Sequence, residues 1–374
     1  EEVVRGNADL APLNKDSVNG YGYGADKTVY IDFENGTLDS DYLAYLNDLE
    51  KRLVSGDIEL TEMLAYHALK DEPRPNGKKP RTFAIMPLHM TILFKKYFGA
   101  FMSHIKRNRH VNGIAIGLNP YKEWTKVYNN LTSDNKKIMD ADFGRWDRSL
   151  IGAFLDSVLD SVRKYFCGSA FERKVLKALC DSLVRMFILV EDHLYLITHG
   201  LQSGCWLTAV LNSLINKLIS ACVFYENYKF TNEKYGGEFH RKANEERLLQ
   251  FNRIVEYFLG DDRISGVPTD LAPYFNLRTV KSFVERLGME ITDGRKNPIN
   301  HDFVLPEHAS FLKRSFTKNN NPNLTSKLNA PLSLDTLGNL FKFCDSTKDF
   351  KTVMSDRSVV FQIEKFLHQN NEHL

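Results

Sequence analysis

Apolar residues recur in adjacent pairs at 206/207, 210/211, 214/215, 218/219 and 222/223. A step of four lays one stripe along a helix, so CWLTAVLNSLINKLISACVFYE is predicted helical. DSDYLAYLNDLEKRL (39–53) opens on a capping Asp or Ser and keeps helical spacing. Residues 88–110 are helical in pattern and end in the basic run KRNRH; 148–192 hold two helical patterns, and helical spacing returns from 333. Strand patterns are shorter: RTFAIM (81–86), KKIMDADF (136–143) stopping at Gly144, and a candidate at FLKRSF (311–316). RIVEYFL (253–259) and RISGV (263–267) flank Gly260-Asp261-Asp262, which predicts a hairpin. Residues 1–37 read as loop and short strand, and TKNNNPNLTSKLN (317–329) as a linker. Helices and strands mix without strict βαβ alternation. That pattern predicts an α+β fold with an antiparallel element rather than a doubly wound sheet.

Composition narrows this picture. A chain of 374 residues exceeds one simple core, so two or three subdomains are expected. With 43% hydrophobic and 26% charged residues it is ordinary globular material, not a disordered chain. A formal charge of +2 carries no argument for nucleic-acid binding, so any basic site must be local. The five cysteines (167, 180, 205, 222 and 344) are odd in number and lack C-x-x-C spacing. This speaks against a disulfide framework or zinc site and for a reducing compartment. No run of about 18 uncharged apolar residues occurs, so no transmembrane helix is expected. The chain starts EEVVRGNADLAP, without Met or signal peptide, and reads as a processed product or a piece of a larger protein.

Three clusters carry candidate chemistry. Asp261 and Asp262 are adjacent like charges on a predicted turn, which raise each other's pKa unless something offsets them. A solvated turn is the plain explanation. Asp142, at a strand end, and Asp147, five residues on, form a second acidic cluster. Carboxylates on two neighbouring elements can hold two hard cations, which stabilise the entering and leaving oxygens of a phosphoryl displacement. The D-x-D at Asp140 and Asp142 also suits an aspartyl phosphatase or a metal-dependent sugar transferase. A phosphatase would want Thr or Val at Gly144 and Asp at Ser265, so both positions lower that reading. Third, a Ser203-Gly204 loop leads into the long helix, where Thr208, Asn212 and Asn216 form a polar stripe.

With these motifs in order, the chain resembles the RNA-dependent RNA polymerases of picornavirus-like positive-strand RNA viruses, in N-terminally shortened form. The series is KDEPRPNGKKPR, DFGRWD, SGCWLTAVLNSLIN, FLGDD, LGMEITDGRK and FLKRSF, over about residues 19–340. The resemblance implies a right-hand fold of fingers, palm and thumb. The expected parts are incomplete fingers at 1–97, palm at 98–183 and 202–318, a fingers insertion at 184–201 and a helical thumb at 319–374. It implies template-directed nucleotidyl transfer from NTP to an RNA 3′ hydroxyl, with two Mg²⁺ or Mn²⁺ ions, replicating a viral RNA genome.

Carried over position by position, the resemblance makes Asp142 and Asp261 the principal metal ligands. Phe143 adds its carbonyl, and Asp262 is an auxiliary ligand. Asp147 and Asn212, with Ser203 and Thr208, become the ribose-reading set; a 2′ hydroxyl both donates and accepts, which an Asp and an Asn can meet. Lys70, Arg74 and Arg81 become triphosphate contacts, the arginines through forked donors. Lys296 matches the lysine that protonates leaving pyrophosphate, with Arg295 one residue away as the competing assignment. Lys313 or Arg314 would touch product-strand phosphates. NGYGYGADK (19–27) resembles a glycine-tyrosine finger segment; its G-x-G-x-G lacks a βαβ setting for a dinucleotide site.

Expected partners are RNA template and product, NTPs, a genome-linked protein primer and other viral replication proteins. The expected location is host cytoplasm, at membrane-associated replication complexes. The sequence departs from the family at Trp206-Leu207, where small residues are usual, and at Leu259, where many members carry Tyr. Gly260 favours an RNA over a DNA product, since reverse transcriptases prefer Tyr-x-Asp-Asp. The shortened fingers leave a second possibility, an inactive RNA-binding scaffold.

Overall fold

The computed structural model describes residues 1–24, 26–70, 77, 79–229, 239–319, 328–341, 349–369 and 371–372. Local signals set the element ends. Helix α1 (Ser40–Ser55) starts where the Asp39 carboxylate accepts from the amides of Asp41 and Tyr42, and stops at Gly56. Strands β1 (Leu64–Leu69) and β2 (Thr82–Ile85) precede α2 (Leu88–Arg107). Asn119 caps α3 (Pro120–Thr132), whose first-turn proline has no amide to leave unpaired. After β3 (Lys137–Gly144) come α4 (Gly152–Tyr165) and α5 (Ala170–Val184), the latter opened by a Ser169–Glu172 capping box. β4 (Met186–Val190) and β5 (His193–Ile197) form a hairpin before α6 (Thr208–Asn227) and α7 (Phe239–Phe251). β6 (Val255–Leu259), β7 (Asp262–Val267), α8 (Leu277–Arg286), β8 (Glu290–Thr292) and α9 (Phe350–Gln369) complete the larger elements.

Two compact units result. The first comprises Glu1–Lys70, Lys79–Asn108 and Trp146–Ile215. Its sheet has the order β2-β1-β4-β5, antiparallel except where β1 lies beside β4. Helix α2 buries Met90, Phe94 and Phe98 completely. The N-terminal segment packs Val4, Leu13 and Ile31 against Tyr42 and Leu46 of α1 and Leu88 and Ile92 of α2. Tyr23, from the glycine-tyrosine segment, meets Tyr30 and Tyr42 edge-on at 5.3 and 6.3 Å, and its hydroxyl bonds His89 Nδ1.

The second unit comprises Asp71–Lys78, Arg109–Arg145 and Asn216–Leu374. Its sheet, β8-β3-β7-β6, is antiparallel throughout. Trp124, Val127 and Leu131 of α3 pack on Ile138, Tyr257 and Ile264 of the sheet, with Phe311 and Phe316 closing the cluster. Trp124 stacks on Phe316 at 4.8 Å and donates its indole N–H to the Ser315 carbonyl at 2.9 Å. FLKRSF is therefore moored to the helix that backs this sheet.

The antiparallel element and the hairpin at Gly260 match the sequence expectations. Three expectations change. Residues 186–197 are a strand hairpin, not the tail of a helical region: α5 ends at Val184, and MFILV is a short apolar run that periodicity alone cannot assign. FLKRSF is not an extended strand but a tight turn, closed by reciprocal 3.0 Å backbone bonds between Phe311 and Arg314. The ends of the expected 317–329 linker pair as strands, Thr317–Asn319 with Leu328–Asn329; its middle lies outside the described residues. Among the described residues one helix, α6, is long and apolar enough to cross a bilayer, with mean hydropathy 1.3. Its Val210, Leu211, Ile215, Ile219 and Val223 are fully buried in the protein, as in a core helix.

Candidate active site

The hairpin between β6 and β7 is the focus of the second unit. Leu259 pairs with Asp262, leaving Gly260 and Asp261 as a two-residue turn. Gly260 has φ +66°, as the first position of a type II′ turn requires; a side chain there would be strained although space is open. Asn216, fully buried on α6, donates from Nδ2 to the carbonyls of Gly260 (3.2 Å) and Asp261 (3.1 Å). The turn that aims Asp261 is thus clamped from beneath.

The same hairpin is braced along its length. Arg263 Nη2 donates to Glu256 Oε1 at 2.9 Å, Ser265 Oγ adds a 3.0 Å bond, and both charged side chains are almost wholly buried. The guanidinium lies over Phe258 and Phe275, 5.5 and 5.7 Å from the ring centres. Burial alone would push Glu256 up and Arg263 down; each opposes that shift in the other.

β3 runs antiparallel beside β7, with Ala141 opposite Arg263 and Asp140 opposite Ile264. On its other edge Asp142 faces Thr292 and Phe143 faces Ile291 of β8. Residues two apart share a sheet face, so Asp140 and Asp142 point the same way. Asp142 is largely buried, 14% exposed, and the ammonium of Lys296 touches its Oδ2. Lys296 has φ +68°, uncommon for a side-chain-bearing residue. The loop is held by Asp293, whose carbonyl accepts from Lys296 N–H at 3.0 Å and whose carboxylate accepts from the Arg295 and Asn297 amides. Between the two competing residues, Lys296 reaches Asp142, whereas the Arg295 guanidinium donates to the Glu307 carbonyl at 3.3 Å.

The two remaining aspartates face inward. Asp140 is 1% exposed; its Oδ2 accepts from Ser310 N–H at 2.6 Å. Asp262 keeps some surface as a residue, but its carboxylate turns in and accepts from Leu312 N–H at 2.7 Å. Burial pushes the Asp140 carboxyl up to about 6. Burial, aided by the charges of Asp261 and Asp140, pushes Asp262 up to about 7 against the opposing Leu312 bond. With Asp140 enclosed in this way, the D-x-D reading loses one of the two accessible carboxylates it needs.

At the FLKRSF turn the two basic residues part. Lys313 is exposed at the tip. Arg314 is committed to the protein: it pairs with the buried Glu364 at 2.9 Å and covers the Tyr121 ring at 5.1 Å. Of the pair, Lys313 is the one left exposed.

The other sequence candidates among the described residues belong to the first unit. The Lys70 amide donates to the Arg81 carbonyl at 2.9 Å, so these two close the open end of the β1–β2 pair. Arg74 lies outside the described residues. The Ser203 carbonyl accepts from Ala84 N–H at 2.7 Å, and a Cβ on Gly204 (φ +113°) would come within 2.0 Å of the Ala84 carbonyl. Only glycine lets this loop lie so close to β2. Gly200 meets the Asp147 carbonyl equally closely, so the loop also rests on the turn that carries Asp147. Thr208 Oγ1 donates to the Gln202 carbonyl at 3.0 Å, tying the loop to the first turn of α6. Asn212 is 5% exposed and, among the described residues, its buried side-chain oxygen has no hydrogen-bond partner.

Sequence reading alone did not single out the clamp at Asn216, the Glu256–Arg263 brace or the inward turn of Asp140. Asn216 carried a weak signal, one helical turn beyond Asn212. The brace carried none, because charged residues in a strand do not announce their burial.

Residues 2–336 match the family described as viral RNA-dependent RNA polymerase. The RNA1 polyprotein of Broad bean wilt virus 2 is 26% identical over 297 residues, 78% of this chain and 15% of the polyprotein. The replicase polyprotein of Acute bee paralysis virus is 26% identical over 301 residues, again 78% and 15%. The RNA1 polyprotein of Red clover mottle virus is 30% identical over 272 residues, 70% of this chain and 14% of the polyprotein. The chain therefore spans about one seventh of these relatives. Among solved structures, a chain titled Sicinivirus 3Dpol RNA dependent RNA polymerase superposes with TM-score 0.76 at 17% identity, covering 94% of this chain and 69% of that one. The fold is shared.

Proposed function

The chain belongs to the viral RNA-dependent RNA polymerase family, and on that premise we propose that it extends an RNA strand on an RNA template, transferring nucleotides from NTPs to a 3′ hydroxyl. One observation carries the reading. β3 and the β6–β7 hairpin are sheet neighbours, which puts Asp142 on the strand beside the clamped turn that presents Asp261. That is the carboxylate pair a two-cation phosphoryl transfer needs.

The residues fit hard divalent cations. The donors are oxygens, and the ion pair of Lys296 with Asp142 supports a site that takes positive charge. Among the described residues no three Asp, Glu, His or Cys side chains form a ready cation site, so ions here would take further oxygens from water and nucleotide phosphates. Asp142 and Asp261 would hold the ions, which when bound lower the pKa of the attacking hydroxyl and neutralise charge at the transferring phosphorus. Lys296, 72% exposed at its side chain, would hand a proton to the pyrophosphate leaving group. Lys313 would meet product-strand phosphates, a contact that positions without reading sequence. Asp147 and Asn212 would read the ribose, with Ser203 and Thr208 holding the loop beside them. Lys70, Arg74 and Arg81 would meet the triphosphate.

The test is template dependence. The chain, given a primed RNA of defined sequence and one NTP at a time with Mg²⁺ or Mn²⁺, should add only the complementary nucleotide. Incorporation without template, or none with either metal, would overturn the reading; RNA binding without incorporation would favour the scaffold alternative.

A further inference from the structure

Two carboxylates of the catalytic sheet are spent on one turn. Asp140, two residues before Asp142, accepts from Ser310 N–H at 2.6 Å. Asp262, next to Asp261, accepts from Leu312 N–H at 2.7 Å. Both amides belong to the segment that ends in the Phe311–Arg314 turn with Lys313 at its tip.

That turn is costly in itself. Leu312 and Lys313 have φ +55° and +60°, the pair of positive values a type I′ turn demands, without the glycine or asparagine that usually supplies them. Two consecutive residues of this kind persist only where the surroundings over-determine them. The surroundings here are the two carboxylates on one side and the Trp124 stack on Phe311 and Phe316 on the other. The 293–297 loop closes on the same point. A Cβ on Gly294 would fall 2.6 Å from Asp140 Oδ2 and 2.8 Å from the Ser310 carbonyl, so the loop bearing Lys296 runs against Asp140 with no room for a side chain there.

We infer that Asp140 and Asp262 are positioning residues that latch the Leu312–Lys313 turn to the two strands carrying Asp142 and Asp261, and so fix where the end of the RNA product strand lies relative to the catalytic carboxylates. The inference rests on the polymerase reading for what the turn supports, and it gives Asp262 a role other than metal binding. Asp140 acts at the junction of β3, the lysine loop and the turn. It touches no reacting atom; it works through the Ser310 amide.

The experiment has one arm independent of turnover. Amide exchange of a peptide covering 305–316 is measured in the wild-type chain and in Asp140→Ala, Asp262→Ala and the acceptor-retaining Asp140→Asn. The alanine variants should exchange at Ser310 and Leu312 about tenfold faster, and Asp140→Asn should restore most of the protection. In primer extension the alanine variants should raise KM for primed template about tenfold, leaving KM for NTP and the Mg²⁺ midpoint within about twofold. Gly294→Ala, which crowds the same junction from the loop side, should reproduce the exchange effect should an alanine variant fail to fold. Unchanged exchange at 305–316 would overturn the latch. Faster exchange with unchanged KM for primed template would overturn its positioning role, as would a shifted Mg²⁺ midpoint with primer binding intact. A wild-type chain without template-dependent synthesis would sink the polymerase reading while leaving the exchange result interpretable.

Discussion

At the scale of single residues, Asn212 is the sharpest case. Its side-chain oxygen is buried with no partner among the described residues, a state that costs about 1–3 kcal/mol unless a ligand or water meets it. A ribose 2′ hydroxyl can donate to that oxygen; a deoxyribose cannot. Asn212→Ala should therefore lower discrimination between ribo- and deoxyribonucleotides by about tenfold, read as the ratio of kcat/KM for the two substrates. An unchanged ratio would remove Asn212 from sugar recognition. The candidates visible in the sequence were those whose residue type is itself the chemistry: Asp142, Asp261, Lys296 and Asn212. What could not be read was enclosure. Asp140 and Asp142 look alike in a D-x-D string, yet one is sealed against Ser310 and the other meets Lys296. Lys313 and Arg314 look equivalent, yet Glu364, fifty residues later in the chain, and the Tyr121 ring hold Arg314 in the protein.

At the scale of elements, short polar contacts decide how segments join. Arg52 of α1 grips Glu62 in the turn before β1 with bonds of 2.5 and 2.7 Å, and Tyr45 donates to the same carboxylate at 3.0 Å. The Arg52 guanidinium, aided by the Glu59 amide and Tyr45, holds the Glu62 carboxyl down at about 2. A carboxyl whose folded pKa is depressed stabilises the fold above its unfolded value of about 4.3 and loses that contribution as pH falls toward 2. The upper limit is about 3 kcal/mol, less whatever solvent access takes away. Glu62→Gln should thus lower the urea midpoint at pH 7, and the two proteins should converge near pH 2. A gap that persists at pH 2 would mean that shape, not charge, is what the glutamate contributes. Elements whose spacing is long and regular, α1 and α6 above all, were legible from pattern. The β4–β5 hairpin was not, because its five-residue apolar runs satisfy helix and strand spacing equally.

At the scale of the whole molecule, the order of six weak motifs carried more than any one of them, and the family match over residues 2–336 and the shared polymerase fold agree with it. The sheet β8-β3-β7-β6 explains why such distant segments form one set. Antiparallel pairing sets Asp142 beside the hairpin, β8 leads into the lysine loop, and the FLKRSF turn is tied to the same strands. On the proposed reading, Asp142 and Asp261 together hold the cations for template-directed RNA synthesis. Their joint role is tested most directly by primer extension on a defined RNA template with Mg²⁺ titrated, comparing the wild-type chain with Asp261→Asn. The substitution should lower extension by about 10³-fold or more at every Mg²⁺ concentration, equivalent to about 4 kcal/mol of lost charge stabilisation, while affinity for primed template stays within about twofold. Extension by Asp261→Asn at a rate comparable to wild type would contradict that role.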